Sequence, residues 1–451
     1  MTRQQRLVLV ISVLASFVAF LDSSVVNVAL PAISRHLGGG LVTQQWVVDA
    51  YLITLGSLIL LAGSLSDIFG RKRVLAIGLA GFGLTSVLCT VAPSSNFLII
   101  ARGLQGVAGA LLVPSSLALI ISSFSGAAQG KAIGSWTAWT GISFIIGPLL
   151  GGFLVDVATW RLIFAINLLP IAICLWLMKP LEQPEHTKSV RLDVLGAILC
   201  SLGLSGSVFG LIEQPHYGWR SPTILTPLIG GVLLMAVFIW HEARTRMPML
   251  PLSLFNIRNF RLGNIATIAI YGGLSVATFL IVIFLQQVSG YSAFEAGLSL
   301  LPVTIIMFLL SPRFGALAGK HGPRAFMALG PVIAGIGFLL MLRVAIHVDY
   351  WTQLLPGVLV FAFGLSATVA PLTAAVLGDI DSRQAGIASA VNNAIARIAG
   401  LITVAMVGVI VGMRINLSGF HHIIIITAVL VIAGGVISAL GIHNHAPTDT
   451  K

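Results

Sequence analysis

LVLVISVLASFVAFLDSSVVNVALPAI, from Leu7 to Ile33, decides the fold. The run is long enough to cross a bilayer as one helix, and nearly all of it is apolar. Asp22 interrupts it near the middle. An ionised carboxylate at that depth costs at least ~2.5–3.5 kcal/mol on insertion scales, so it is retained where it faces protein or a water-filled path. A first span carrying such a group predicts a chain that moves a charged species or a proton.

The rest of the chain has the same character. Of 451 residues 57% are hydrophobic and 9% charged, with a mean hydropathy of +1.02. Soluble globular chains do not reach these values; polytopic helical membrane proteins do. The short alternating segments of a membrane β-barrel are absent from the sequence. The net charge of +11 would suggest nucleic acid in a soluble protein. Here the basic residues lie mostly in short loops between apolar runs, so no nucleic-acid partner is expected and the charge is read as a signal of membrane orientation. Cys89, Cys174 and Cys200 fall inside apolar runs and are expected as buried thiols. The first run contains Asp22 and Asn27 and exceeds a leader's apolar core, so it is read as a span and not as a signal peptide.

Fourteen apolar segments can be counted, which places both termini on one side. With that side cytoplasmic, only Arg35, Arg161, Arg220, Arg343 and Arg414 fall outside, and Arg102 and Arg397 lie within spans. The remaining Lys and Arg are cytoplasmic, as the positive-inside rule requires. An internal echo accompanies this pattern. GSLSDIFGRKR (Gly63 to Arg73) and FGALAGKHGPR (Phe314 to Arg324) align Gly63 with Gly315, Gly70 with Gly322 and Lys72 with Arg324. The expected organisation is a six-helix half over 1–180, a linker with two extra spans over 181–258, and a second six-helix half over 259–451. Repeated halves around a midplane site are a plan of secondary transporters. The polar connection KPLEQPEHTKSVR (Lys179 to Arg191) is read as a linker.

GSLSDIFGRKR resembles the loop after the second helix in the major facilitator superfamily. Three further stretches resemble its fourteen-helix drug–proton antiporters. They are LDSSVVNVALP (Leu21 to Pro31), ARGLQGVAGALLVPSS (Ala101 to Ser116) and GISFIIGPLLGG (Gly141 to Gly152), the last followed by WRLIFAINLLP (Trp160 to Pro170). QQWVVDAY (Gln44 to Tyr51) places Asp49 where it is similar to an acid of quaternary-ammonium and lipophilic-cation exporters. The match is dense in the first half; AGIASAVNNAIARIAG (Ala385 to Gly400) is its best stretch in the second.

The resemblance implies an all-α, major facilitator fold of fourteen helices in the cytoplasmic membrane. The implied activity is proton-coupled export of lipophilic, cationic drugs or biocides by a monomer whose partners are the small-molecule substrate, protons and lipid. Asp22, Arg102 and Asp49 are then the candidates for proton coupling, and Asp22, Asn27, Asp49, Trp136 and Trp139 for substrate contact. Trp136 and Trp139 share a helix face and their rings can attract cations. Gly63, Asp67, Gly70 and Arg71 are the expected gate, with the glycines forming a tight turn and Asp67 capping a helix start near Ser382 to Gln384. Gly147 and Pro148 are expected to bend the fifth span. Asp49 and Arg102 lie at similar depths in their spans, which predicts an ion pair between them.

Three other readings remain open: an exporter of a neutral antibiotic or endogenous metabolite, a proton-coupled uptake symporter, and a non-transporting receptor or scaffold. The sequence holds no phosphate-loop motif and no nucleophile–base arrangement, so no enzyme activity and no cofactor are expected. His421, His422, His443 and His445 lack a cysteine or carboxylate constellation, so no metal is expected.

Overall fold

A computed structural model describes residues 1–181, 192–381 and 384–444, without the side chains of Asp67, Ala127 and Ile145. The KPLEQPEHTKSVR linker and the proposed capping site near Ser382 lie largely outside the described residues, as do His445 and the Asp67 side chain. The chain is all helical among the described residues.

Among the described residues, eight of the longer helices fall in the first of two compact units. They are α1 (Arg3–Leu37), α2 (Gly40–Phe69), α3 (Arg71–Thr90), α4 (Ser95–Ser123), α5 (Gly126–Val157), α6 (Leu168–Met178), α7 (Val194–Tyr217) and α8 (Pro222–Arg244). Six follow in the second: α9 (Arg258–Gln287), α10 (Leu301–His321), α11 (Arg324–Leu340), α12 (Leu355–Leu377), α13 (Ala385–Ala405) and α14 (Leu417–Gly441). The first unit comprises Met1–Leu250 with Ser292–Gly297, and the second Pro251–Tyr291 with Leu298–Lys451. The two central helices α7 and α8 cluster with the first unit. Among the described residues thirteen helices are long and apolar enough to cross a membrane, and the shorter apolar stretch Leu162–Met178 completes fourteen apolar segments. That stretch is broken: a single turn, Leu162–Ala165, precedes α6.

The same helix pairings recur in both units. In the first, α2 and α3 pack on α4, α1 packs on α4, α5 and α6, and α3 packs on α6. In the second, α10 and α11 pack on α12, α9 packs on α12, α13 and α14, and α11 packs on α14. The two aligned loops also turn alike. Gly70 ends α2 at φ +91° and Gly322 ends α10 at φ +82°, a conformation that L side chains disfavour. Gly63 departs from expectation. It lies inside α2 and not in a turn, and a Cβ added there would meet nothing within 4 Å. The tight turn rests on Gly70 alone, since α2 stays helical through Phe69.

Without water to drive them together, membrane helices associate through close packing of small residues. Gly106 on α4 shows the limit: an added Cβ would sit 2.3 Å from the Tyr51 carbonyl oxygen and 2.1 Å from Thr54 Oγ1 of α2. Thr54 Oγ1 in turn donates to the Gly103 carbonyl at 2.7 Å. Gly106→Ala should therefore destabilise by about 1–3 kcal/mol, because backbone must move. Gly63→Ala should be neutral or stabilise by up to ~1 kcal/mol, because it adds a helix former in open space. Thermal unfolding of both variants in detergent checks this; equal melting temperatures would refute the crossing.

Candidate functional site

Asp22 sits on α1, fully buried, and its carboxylate is surrounded by donors. Arg102 on α4 donates from Nη1 to Asp22 Oδ2 at 2.6 Å. Gln105 Nε2 reaches Oδ1 at 3.1 Å and Asn167 Nδ2 reaches the same oxygen at 2.9 Å. Arg102 also donates to Gln105 Oε1 at 2.7 Å and, through Nε, to the Val47 carbonyl of α2 at 3.0 Å. Its guanidinium carbon lies 4.3 Å from the centre of the Tyr51 ring, a cation–π contact. Gln105 Nε2 further donates to Ser86 Oγ on α3 at 3.0 Å. One carboxylate thus organises side chains from α1, α3 and α4, the residue preceding α6, and backbone of α2.

Local sequence explains how these groups meet. Arg102 and Gln105 are three apart and share a face of α4. The break before α6 leaves Asn167 at the junction, where its amide is free to turn toward α1. Gln105 and Asn167 were legible as polar residues in apolar stretches, inside motifs already singled out, but their link to Asp22 was not.

The expected Asp49–Arg102 pair does not form. Arg102 is taken by Asp22, and both Asp49 oxygens are buried without a hydrogen-bond partner. The reason is the face of α2. Val47 and Tyr51, which touch Arg102, lie on one side, and Asp49 is about 200° around the helix from each. Trp46, nearer to Asp49 on the helical wheel, donates from Nε1 to Glu213 of α7 at 2.8 Å.

The remaining candidates are dispersed. Asn27 is half-buried and is not among the partners of Asp22. Trp136 donates from Nε1 to Ser16 Oγ at 3.0 Å, and Ser16 hydrogen-bonds Ser116 at 2.6 Å. Its indole nitrogen thereby links α5 to α1, whereas Trp139 is exposed. Arg71 Nη1 donates to the Ala118 carbonyl of α4 at 3.1 Å. Gly147 and Gly151 let α5 lie on α1: an added Cβ would meet Ser24 Oγ at 1.9 Å and Val25 Cγ2 at 2.4 Å. Pro148 lies within the helix beside them. Near the end of α5, Asp156 accepts from the backbone N–H groups of Ala293 and Phe294 at 3.1 and 2.8 Å. In the second unit, Asn392 Nδ2 on α13 donates to Asn264 Oδ1 and Thr267 Oγ1 of α9, both at 2.9 Å.

A family model described as Major Facilitator Superfamily matches residues 12–404. The chain belongs to the Major Facilitator Superfamily. It is 35% identical to the multidrug resistance protein Stp of Mycobacterium tuberculosis over 418 residues, 90% of this chain and 76% of that one. It is 32% identical to the methylenomycin A resistance protein of Bacillus subtilis, over 98% of this chain and 96% of that one. The puromycin resistance protein pur8 of Streptomyces alboniger is 33% identical, over 89% and 81%. Among solved structures, a peptide transporter POT in complex with sulfate superposes with a TM-score of 0.71, covering 97% of this chain and 94% of that chain at 13% identity. That likeness bears on the fold alone. The protein is thus a multi-pass membrane member of this superfamily with drug-resistance transporters among its relatives, which is not an enzyme class.

In this superfamily member the Asp22–Arg102 pair is shielded from water on every side. Removing one partner of such a pair costs about 3–5 kcal/mol, since the other charge stays buried and unpaired. Arg102→Gln should lose that stability, whereas Asp49→Asn should not, because Asp49 compensates no cation. Chemical unfolding of the two variants beside wild type checks the order; a larger loss for Asp49→Asn would overturn the pairing.

Proposed function

We propose that the protein is a proton-coupled antiporter of the fourteen-helix drug exporter type, expelling lipophilic cations across the cytoplasmic membrane. The observation that carries the reading is the Asp22 carboxylate, buried mid-span and held by Arg102, Gln105 and Asn167. A proton arriving at Asp22 weakens its hold on Arg102, and a cation entering nearby competes for the same negative charge. Exchange of one for the other couples the gradient to export. The named multidrug and antibiotic resistance relatives support drug export.

The orientation proposed with this reading keeps both termini cytoplasmic and puts the α7–α8 connection outside. Two six-helix halves rock about the midplane, with α7 and α8 added between them in sequence. The turn at Gly70, with Asp67 and Arg71, forms the cytoplasmic gate, and a bend at Gly147 and Pro148 helps set the direction of transport. Asp49, buried without a hydrogen-bond partner, adds a second acid on the outer side.

A second reading, export of a neutral antibiotic or metabolite, is favoured by one observation. No Asp or Glu occurs in α9 to α14, and the polar cluster of α9 and α13 is built of neutral amides and a hydroxyl. The two readings separate on Asp49. If cations are carried, Asp49→Asn should lower export of a fluorescent lipophilic cation several-fold while sparing a neutral substrate.

Coupling has its own test. Asp22→Asn in proteoliposomes should abolish both gradient-driven export and substrate-induced proton release. Proton release that survives the substitution would remove Asp22 from the role of carrier. Tyr217→Cys, exposed at the end of α7, should react with an impermeant thiol reagent from the outer side of intact cells; labelling only from inside would reverse the orientation.

A further inference from the structure

The two central helices end in a second acidic site that no part of the transport reading uses. Asp193 precedes α7 and caps it, with Oδ1 accepting from the Gly196 N–H at 2.8 Å. His241 Nε2 of α8 lies 2.9 Å from the same oxygen and 3.2 Å from Thr245 Oγ1, and against an ionised carboxylate that nitrogen carries the proton. Glu242, next to His241, is 2% exposed, and its Oε2 accepts from the Leu250 N–H at 2.9 Å. The other two carboxylate oxygens, Asp193 Oδ2 and Glu242 Oε1, are buried and receive no donor. They face each other over Gly196: each lies 2.6 Å from the point where a Cβ on that glycine would sit.

Two buried acceptors cannot face each other without something positive between them. His241 already spends its Nε2–H on Oδ1. The other titratable group near the pair is the buried thiol of Cys200 on α7. Arg244 turns away, its guanidinium carbon 4.5 Å from the centre of the Trp240 ring. From α2, which packs on α7, the acids are Asp49, toward the other end, and Asp67, whose side chain is not described. Burial would push the Asp193 carboxyl up, but the bonds from the Gly196 N–H and His241, with the carboxyl of Glu242 beside them, outweigh it and hold Asp193 below the ordinary range. Asp193 is thus the ionised partner, which leaves Glu242 as the acid.

We infer that Asp193 and Glu242 bind one proton between them, donated from Glu242 Oε1 to Asp193 Oδ2, and that this is a proton-binding site separate from Asp22. The proton comes from solvent past His241, whose side chain is the partly exposed member of the cluster. Its loss sets two carboxylates face to face. The strain falls on the cap of α7 and on the bond that ties Leu250 to α8. Leu250 is the last residue before Pro251, where the second unit begins, so the proton governs how firmly that connection is anchored. The inference does not rest on the coupling role of Asp22; only its cytoplasmic sidedness rests on the orientation proposed above.

The test is infrared pH-difference spectroscopy on the full chain in lipid vesicles. A protonated-carboxyl band should vanish as pH rises, persist in Asp22→Asn, and be missing from Glu242→Gln and from Asp193→Asn. In both of those variants an amide N–H replaces the shared proton, so the fold is kept. Stability supplies the second readout. The unfolded carboxyls ionise near pH ~4, whereas the folded pair still holds its proton above that, so wild-type stability should fall as pH rises from there through the pair's titration. Glu242→Gln should be flat over the same range. A band that survives Glu242→Gln, or equal pH slopes in wild type and variant, would overturn the site. Loss of the band on adding sodium at constant pH would also overturn it, by assigning the position to a metal cation. Acidifying each side of the vesicles in turn tests the route alone: a response from the side where Tyr217→Cys, at the other end of α7, is labelled would refute entry past His241 and leave the proton site standing.

Discussion

A carboxylate in the middle of a membrane span has to be compensated in place, and in this protein Arg102 does that for Asp22. The pair is useful only because it is over-determined. Arg102 is fixed by Gln105, by the Val47 carbonyl and by the Tyr51 ring; Asp22 is fixed by Gln105 and Asn167 as well. Val47 and Tyr51 lie on α2, Gln105 on α4 with a further bond to Ser86 of α3, and Asn167 beside α6, so the compensation sets the relative positions of α1, α2, α3, α4 and the start of α6. The small residues serve the same end. Gly106 brings α4 close enough to α2 for Arg102 to reach Val47, and Gly147 with Gly151 brings α5 against α1. Desolvation makes the arrangement expensive and hydrogen bonding makes it specific.

The fold was largely legible in the sequence, because bilayer thickness imposes a length on every apolar run. The likeness of the two aligned loops was legible for a different reason: Gly70 and Gly322 occupy a conformation that few other residues accept, so the turn leaves a mark at both sites. The site was legible only in part. Asp22 and Arg102 stood out as charges in apolar runs, but their partners did not. Pairing Arg102 with Asp49 relied on depth, which helical rise supplies, and ignored azimuth, which depends on the face α2 turns to α4. Two residues along a helix are enough to reverse the outcome. Gly63 was misplaced because α2 runs on to Phe69, and no residue between the two glycines breaks it. The amide of Asn167 depends on a helix break at Ile166–Asn167 that hydropathy does not register.

The two central helices form a tight subassembly of their own. Gly206 faces the Pro227 carbonyl and Gly231 faces the Ser207 backbone, each too close for a side chain. The pair then docks on α2 by Ser201 with Ser57 and by Glu213 with Trp46. Both contacts lie on the side of α2 away from Arg102. Helix α2 therefore stands between the Asp22 cluster and α7, and its buried acid Asp49 lies on the flank toward Trp46. A change in charge at Asp49 would be felt first by that flank and would reach Arg102 only by turning or shifting α2.

The distribution of charge across the sequence gives this arrangement its direction. Asp22 and Arg102, buried within helices and compensated by one another, belong to the first unit, whereas the cluster of Asn392, Asn264 and Thr267 on α13 and α9 in the second is neutral. A neutral network can re-form with new partners at little electrostatic cost, because none of its members carries a charge that must stay compensated. A buried ion pair cannot: Arg102 keeps its charge throughout, so any step that protonates Asp22 must let another anion, a dipole or water stabilise the guanidinium. Gln105 Oε1 and the Val47 carbonyl are already in contact with it and retain that capacity when Asp22 is neutral. The amide and carbonyl around Arg102 are what make a change of charge at Asp22 tolerable inside the membrane, and that tolerance is the condition for using the acid in a cycle at all.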